Sequence, residues 1–156
     1  MSDIQTLRDV LSRYRTVAIV GLSADWFRPS YFVGKYLLEH GFRIFPVNPR
    51  YPEILGERCY ASLRDIPHPV DIVDVFRKPA DCEPIAAEAV AIGAKVLWLQ
   101  LGIVNPRAEQ IAEAGGLTVI RDRCIKIEYA RLFGGLNWCG VNTGVISSHR
   151  PDPPHR

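Results

Sequence analysis

Residues 16–31, TVAIVGLSADWFRPSY, constrain the fold of this chain more than any other segment. The apolar run Val17–Val20 predicts a buried strand, and Gly21 permits a tight turn directly after it. An eight-residue loop then leads to a helix that we predict to begin near Ser30. The segment is therefore a β–loop–α unit, the building block of parallel sheets.

The loop of this unit has the chemistry of an anion site. Free backbone N–H groups and the positive end of the helix dipole attract a phosphate at the start of a helix. Gly21 allows close approach of the backbone, and the guanidinium of Arg28 offers a two-pronged hydrogen bond. The segment predicts a phosphate-binding loop, and an ordinary β–loop–α connection is the alternative.

Four further apolar runs repeat this pattern along the chain. The predicted strands after the first are Arg43–Val47, Val70–Phe76, Lys95–Leu99 and Leu117–Ile120. Apolar residues at helical spacing predict helices over Ile4–Tyr14, Ser30–His40, Lys78–Ile92, Asn105–Ala114 and Ile125–Leu132. This alternation predicts the α/β class, with a Rossmann-like doubly wound fold whose five-stranded, mainly parallel sheet carries helices on both faces.

The composition narrows the classes of function. Of 156 residues, 47% are hydrophobic and 23% charged, which is typical of one globular domain and unlike a membrane protein. We assign residues 1–133 to that domain and expect residues 134–156 to form a flexible tail. The net charge of +2 is too small to indicate binding to nucleic acid. Four cysteines without metal-ligand spacing predict no metal site, and they indicate a cytoplasmic protein with reduced thiols.

The end of the second predicted strand bears on which nucleotide this fold would bind. The first loop lacks the G-x-G-x-x-G pattern of dinucleotide sites, and the strand end reads PVNPR, without the acid that holds the ribose of NAD. Arg50 stands there instead and suits a ligand with an extra ribose phosphate, either NADP or coenzyme A. A solvated Arg50 without a ligand remains the alternative.

Five motifs lie in order on the loops that should surround the ligand. They read VGLSADWFRPSYFVGKYL, FPVNPRYPEILGERCY, VDIVDVFRKP, VLWLQLGI and DRCIKIE. Through them the chain resembles the small stand-alone CoA-binding proteins, which are similar to the N-terminal nucleotide-binding domain of the succinyl-CoA synthetase α subunit. The resemblance covers about residues 5–133.

The resemblance implies coenzyme A, or an acyl-CoA, as the ligand. It implies phosphate contacts from Gly21, Ser23, Arg28 and Ser30, and an adenosine end lined by Val47, Asn48, Pro49 and Arg50. It implies that the ligand is flanked by Phe76, Arg77, Lys78 and Pro79, and that the pocket is edged by Gln100, Leu101 and Gly102. Cys124 would lie toward the pantetheine end. It would be either a thiolate favoured by neighbouring bases and a helix start, or a plain pocket-lining thiol.

Catalytic groups are scarce in the sequence. The resemblance stops before the second domain that carries the phosphorylated histidine of the synthetase, and none of the four histidines lies in a matching motif. Asp71 and Asp74 should point to opposite faces of one strand, so they form no acid pair. We therefore expect a non-catalytic or regulatory protein that binds CoA or acyl-CoA. An NADP-dependent oxidoreductase and a nucleotide-responsive interaction module are the alternatives, and the sequence leaves the identity of any protein partner unknown.

Overall fold

The computed structural model describes residues 4–134, so the tail predicted for residues 134–156 lies, apart from Gly134, outside the described residues. The strands are β1 Thr16–Val20, β2 Arg43–Val47, β3 Glu53–Ile54, β4 Glu57–Arg58, β5 Ile72–Val75, β6 Val96–Leu99 and β7 Thr118–Ile120. The helices are α1 Ile4–Arg13, α2 Pro29–Glu39, α3 Cys82–Ala91, α4 Pro106–Ala114 and α5 Ile125–Phe133. Short 3₁₀ turns cover Leu63–Asp65 and Pro79–Asp81.

The main sheet has five parallel strands in the order β2-β1-β5-β6-β7. This arrangement confirms the predicted doubly wound fold. The chain winds outward from β1 in one direction to β2 and in the other to β5, so the winding direction reverses between β1 and β5. A crevice opens at such a reversal beyond the carboxyl ends of the strands, and ligands of doubly wound proteins bind there.

Helices cover both faces of this sheet, as predicted. Helices α1, α2 and α5 pack on one face over a core that includes Leu11, Leu37 and Trp98. Helices α3 and α4 pack on the other face around a core that includes Val73, Ala89 and Leu97. Because strand side chains alternate between the two faces, the central strands are apolar on both sides, which explains their nearly continuous hydrophobic runs.

Proline and asparagine determine where two of the helices begin. Helix α2 starts at Pro29, one residue before the predicted start, because the fixed φ of proline suits the first turn of a helix. Arg28 occupies its N-cap position without a capping hydrogen bond from the side chain. In α4 the side chain of Asn105 caps the helix by accepting from the backbone N–H of Ala108 over 3.1 Å.

The loop after β2 contains an element that we did not predict. Strands β3 and β4 form a small antiparallel hairpin whose two turn residues, Leu55 and Gly56, have φ of 57° and 77°. Turns with both φ values positive match the twist of a two-residue hairpin. Leu55 packs over α2, where a Cβ added to Gly34 would lie 3.1 Å from its Cδ1 atom. Gly34 thus permits close packing of the hairpin on the helix.

Candidate functional site

A polar cleft opens at the carboxyl ends of β1, β2 and β5, at the reversal of winding. Its volume is about 360 Å³. Three loops, one from each strand end, supply its walls. They contribute the lining residues Gly21, Ser23, Asp25, Arg28, Asn48, Pro49, Arg50, Tyr51, Phe76, Arg77, Lys78 and Asp81.

Gly21 forms the floor of the first loop, and no larger residue fits there. Its φ is +90°, and its N–H donates to the carbonyl of Val47 over 3.0 Å. A Cβ at this position would lie 2.5 Å from the backbone oxygen of Phe76. The first loop is therefore packed directly against the ends of β2 and β5, and Val47 contributes its backbone from a buried position.

Serine side chains brace the rest of this loop. The backbone N–H of Ser23 donates to Oγ of Ser30 over 2.9 Å, and the N–H of Asp25 donates to Oγ of Ser23 over 3.0 Å. Ser30 is buried at the start of α2 and does not line the cleft. In this structure Ser30 holds the loop in shape, while Ser23 faces the cleft.

Four cations and two carboxylates surround the cleft. Arg28 pairs with Asp25 at 3.7 Å, and Arg77 pairs with Asp81 at 3.5 Å. These pairs are solvent-exposed and long, so each contributes little and can open to admit an anion. Arg50 and Lys78 have no ion pair among the described residues. The cleft therefore keeps an excess of positive charge.

A second, apolar cavity adjoins the cleft and shares Phe76 and Arg77 with it. Its volume is about 550 Å³. It lies between α2, the loop after β6 and the start of α5. The other residues that line it are Pro29, Val33, Gln100, Leu101, Ile103, Cys124 and Ile127. The cleft and the cavity are therefore adjacent, and together they offer a charged end and an apolar end.

Gln100 and Cys124 both contribute polar atoms to the lining of the apolar cavity. Gln100 is only 4% exposed, and its Oε1 atom accepts from the backbone N–H of Ile125 over 3.2 Å. Cys124 is half-buried at the N-cap position of α5. The predicted helix start after Cys124 is thus present. Within residues 4–134, histidine lines neither the cleft nor the cavity.

The structure brings most of the predicted site residues together, with four exceptions. Ser30 and Val47 lie behind the cleft, and Pro79 lines neither the cleft nor the cavity. Gly102 also lines neither compartment, and its N–H donates to Oδ1 of Asp122 over 2.7 Å in the loop after β6. Tyr51 and the cavity residues Val33 and Ile127 were missed. They lie on a loop or on helix faces whose orientation toward the site depends on tertiary packing.

Asp71 and Asp74, which we predicted not to form an acid pair, have different surroundings. Oδ2 of Asp71 accepts from the hydroxyl of Thr16 over 3.1 Å, at the amino end of the sheet. Asp74 lies inside the sheet beside Ile19 and Trp98. Its carboxylate oxygens are buried without a hydrogen-bond partner in the described structure, and burial raises the pKa of Asp74 well above its ordinary value.

Two further features are absent from residues 4–134. No group of three or more histidine, cysteine or acidic side chains is arranged to hold a metal ion there. None of the helices in this range has the length and apolarity that crossing a membrane requires.

Comparison with known proteins gives three informative matches. The model of a family described as "CoA binding domain" matches residues 15–130. The uncharacterized protein YneT of Bacillus subtilis is 40% identical over 124 residues, which cover 80% of this chain and 92% of YneT. A solved structure of a hypothetical protein from Pyrococcus horikoshii superposes with a TM-score of 0.83 at 41% identity, covering 85% of this chain and 94% of that one.

A larger protein contains a related segment. The ADP-forming acetate–CoA ligase II of Archaeoglobus fulgidus is 36% identical over 155 residues. The match covers 96% of this chain but only 22% of the ligase. The similarity thus concerns one portion of that ligase.

Proposed function

This chain belongs to the CoA-binding domain family, and from that premise we propose that its cleft binds coenzyme A without catalysing a reaction. The phosphates lie at the loop after β1 and the adenosine end against the loop after β2. The pantetheine arm passes between Phe76 and Arg77 toward the apolar cavity. A cytoplasmic location belongs to the same proposal.

Arg50 is the observation that carries this proposal. It lines the cleft directly after β2, where an acid would hold the ribose of NAD, and no described carboxylate pairs with it. Its backbone N–H donates to Oδ1 of Asn48 over 2.9 Å, so the position of its main chain is set before a ligand arrives. Coenzyme A carries a 3′-phosphate on its ribose, and a guanidinium at this place is suited to bind it.

The non-catalytic part of the proposal is supported by the scarcity of reactive pairs around the site. A general acid or base must lie within hydrogen-bond reach of the reacting group, and histidine most often has that role. His40 is stacked on Tyr36 and His68 on Phe45, and neither lines the cleft or the cavity. Cys124 has no described base beside it in the lining of the cavity.

Ligand-dependent thermal unfolding tests the proposal. A ligand at about 100 times its Kd adds about 2.7 kcal/mol to the free energy of unfolding. We expect coenzyme A to raise the melting temperature accordingly, NADP to raise it less, and NAD to leave it unchanged. A larger shift with NADP than with coenzyme A would overturn the proposal in favour of an oxidoreductase.

A comparison of coenzyme A with dephospho-coenzyme A isolates the contact of Arg50. Dephospho-coenzyme A lacks only the 3′-phosphate, so we expect it to bind about 10–150-fold more weakly, the range for a charge-assisted hydrogen bond. In Arg50→Ala the two ligands should bind with equal affinity. Arg13→Ala, at the C-terminal end of α1, is the control, and in it the difference in affinity should persist. An unchanged difference in Arg50→Ala would place the phosphate elsewhere.

An interaction module whose ligand acts as a switch is a second candidate, favoured by one surface feature. Trp26 and Phe27 are 68% and 63% exposed, although large aromatic side chains are usually buried. Both belong to the loop that also carries Arg28. If this loop is a switch, coenzyme A should slow amide hydrogen exchange across residues 22–29. Unchanged exchange at saturating coenzyme A would remove this candidate.

A further inference from the structure

The apolar cavity has a volume of about 550 Å³ and adjoins the polar cleft at Phe76 and Arg77. The inference that follows rests on the proposed function and concerns the chemical group at the far end of the ligand. The pantetheine arm contains two amides, whose N–H and C=O groups need partners once they leave water. The cavity offers them little, because Pro29, Val33, Leu101, Ile103 and Ile127 present hydrocarbon surface.

Besides Arg77, which the cavity shares with the cleft, and the thiol of Cys124, Gln100 is the polar exception to this apolar lining. Its Oε1 atom is engaged by the N–H of Ile125, so the assignment of oxygen and nitrogen in the amide follows from its partner. Its Nε2 atom has no acceptor among the described residues. It is also absent from the fully buried atoms that lack a partner, so it is open to the cavity. Such a donor is costly to leave unpaired once a ligand displaces the water around it.

The position of Gln100 indicates what it would meet. It directly follows β6, and its N–H donates to the carbonyl of Val75, the last residue of β5. The next residue, Phe76, belongs to both the cleft and the cavity. A ligand whose phosphates lie at Gly21 must therefore pass this point on its way into the cavity. Beyond it lie Val33 of α2 and Ile127 of α5. A carbonyl followed by a hydrocarbon chain matches this sequence of one donor and then apolar walls.

We propose that the site binds acyl-CoA thioesters, with the thioester carbonyl oxygen accepting from Nε2 of Gln100 and the acyl chain filling the apolar cavity. No bond is made or broken in this recognition. Free coenzyme A then leaves Nε2 of Gln100 without an acceptor and the cavity unfilled, so it binds more weakly than an acyl-CoA. The protein would therefore distinguish acylated from free coenzyme A. A non-catalytic protein with this preference can act as a sensor or as a carrier of acyl-CoA.

Affinity along a series of chain lengths tests the cavity. Each buried methylene contributes about 0.8 kcal/mol, which corresponds to about a fourfold gain in affinity. We expect the Kd to fall about fourfold per methylene from acetyl-CoA through butyryl-CoA to hexanoyl-CoA, as measured by calorimetry. Equal affinity for free, acetyl- and hexanoyl-CoA would overturn the inference and leave the proposed function intact. If none of these ligands binds, the proposed function itself fails.

Two exposed apolar residues of the loop after β6 provide a matched pair of variants. Leu101 lines the cavity and Val104 does not, yet both are exposed residues, at 64% and 41%, so neither substitution should greatly affect folding. We expect Leu101→Ser to weaken hexanoyl-CoA binding several-fold and to leave free coenzyme A unchanged. Val104→Ser should alter neither. Equal effects of the two substitutions on hexanoyl-CoA would contradict the assigned path of the chain.

The role of Gln100 needs a variant that keeps its structural bond. In Gln100→Glu a carboxylate oxygen can still accept from the N–H of Ile125, but the donor is lost. We compare hexanoyl-CoA with its S-hexyl thioether, which lacks the carbonyl. The parent should prefer the thioester about 2–12-fold, the range for one hydrogen bond, and Gln100→Glu should lose that preference.

Because the carboxylate in Gln100→Glu could disturb folding, Gln100→Met serves as a second, uncharged variant without the donor. It should also bind thioester and thioether alike. If either folded variant keeps the preference of the parent for the thioester, Gln100 is not the carbonyl partner.

Discussion

The side-chain amide nitrogen of Asn48 donates to the backbone carbonyl of Leu22 over 2.9 Å. Its Oδ1 atom accepts from the N–H of Arg50 over the same distance. One side chain therefore joins the loop after β1 to the loop after β2. The first loop carries the proposed phosphate contacts and the second carries the proposed adenosine contacts. Asn48 therefore fixes the distance between these two sets of contacts before a ligand binds.

We expect Asn48→Ala to lower the affinity for coenzyme A about 2–12-fold, since each hydrogen bond contributes about 0.5–1.5 kcal/mol. Asn48→Asp should be worse, because a carboxylate oxygen would face the carbonyl of Leu22. Calorimetry gives the affinities. Thr16→Val, which removes hydrogen bonds to Asp71 at the opposite end of the sheet, is the control and should lower stability without changing affinity. Equal losses of affinity in Thr16→Val and Asn48→Ala would show a general effect of stability.

Arg28 should act on the ligand and hardly on the fold. Its side chain is 64% exposed, and its ion pair with Asp25 is long. We expect Arg28→Ala to weaken coenzyme A binding about 10–150-fold, as for a charge-assisted hydrogen bond, with an unchanged melting temperature of the free protein. Asp25→Asn should strengthen binding, because it removes a competing carboxylate. Weaker binding in Asp25→Asn would indicate that the ion pair orients Arg28.

Gly21 and Gly41 provide a test of crowding at the site. Both have positive φ, of 90° and 87°, but a Cβ at Gly41 would meet nothing within 4 Å, whereas one at Gly21 would meet the carbonyl of Phe76. Gly41→Ala should cost about 1–2 kcal/mol of unfolding free energy, from backbone strain alone. Gly21→Ala should cost clearly more and should also reduce coenzyme A affinity. Chemical denaturation would measure both, and equal costs would contradict the packing of Phe76 on this turn.

Asp74 should make stability depend on pH. Because burial raises its pKa in the folded state, the folded protein keeps the proton after the unfolded chain has lost it. The unfolded state then binds fewer protons, so the free energy of unfolding falls as pH rises above 3.8, the ordinary pKa of the group. The slope approaches about 1.4 kcal/mol per pH unit until the folded carboxyl ionises.

Asp74→Asn removes this titration while keeping a side chain of the same size. We expect the variant to gain stability relative to the parent as pH rises from about 5 to 8, within the range where the unfolded carboxyl is ionised. Urea denaturation at several pH values measures the difference. If the difference in unfolding free energy between Asp74→Asn and the parent stays constant over these pH values, Asp74 is ionised in the folded protein.

Cys124 should lie near the sulfur of bound coenzyme A. On incubation with the disulfide of coenzyme A, its thiolate would attack one sulfur, form a mixed disulfide and release one coenzyme A thiol. Intact-mass analysis should show one adduct, absent in Cys124→Ser. Cys59 is a suitable comparison, because burial and the nearby Glu53 raise the pKa of its thiol. An adduct that persists in Cys124→Ser would remove the proximity of Cys124 to the ligand thiol.

The order of strands and helices follows from local pattern, and the structure confirms it. Apolar runs such as Val17–Val20 and helix starts such as Asn105 before Pro106 depend on burial and on backbone preferences, and both can be inferred from neighbouring residues. The resemblance to CoA-binding proteins is confirmed by the family match over residues 15–130. It was visible in the sequence because its motifs occupy the strand ends. The hairpin of β3 and β4 was missed, since its two-residue strands carry too short a pattern.

Distances across the site depend on packing between elements far apart in sequence. The buried position of Ser30 behind the cleft and the unpaired amide nitrogen of Gln100 in the cavity both result from how α2 and α5 lie on the sheet. A residue's type and spacing show which groups are available at a strand end. Whether such a group faces a ligand, a neighbouring loop or the core is decided by contacts that form only when the sheet assembles.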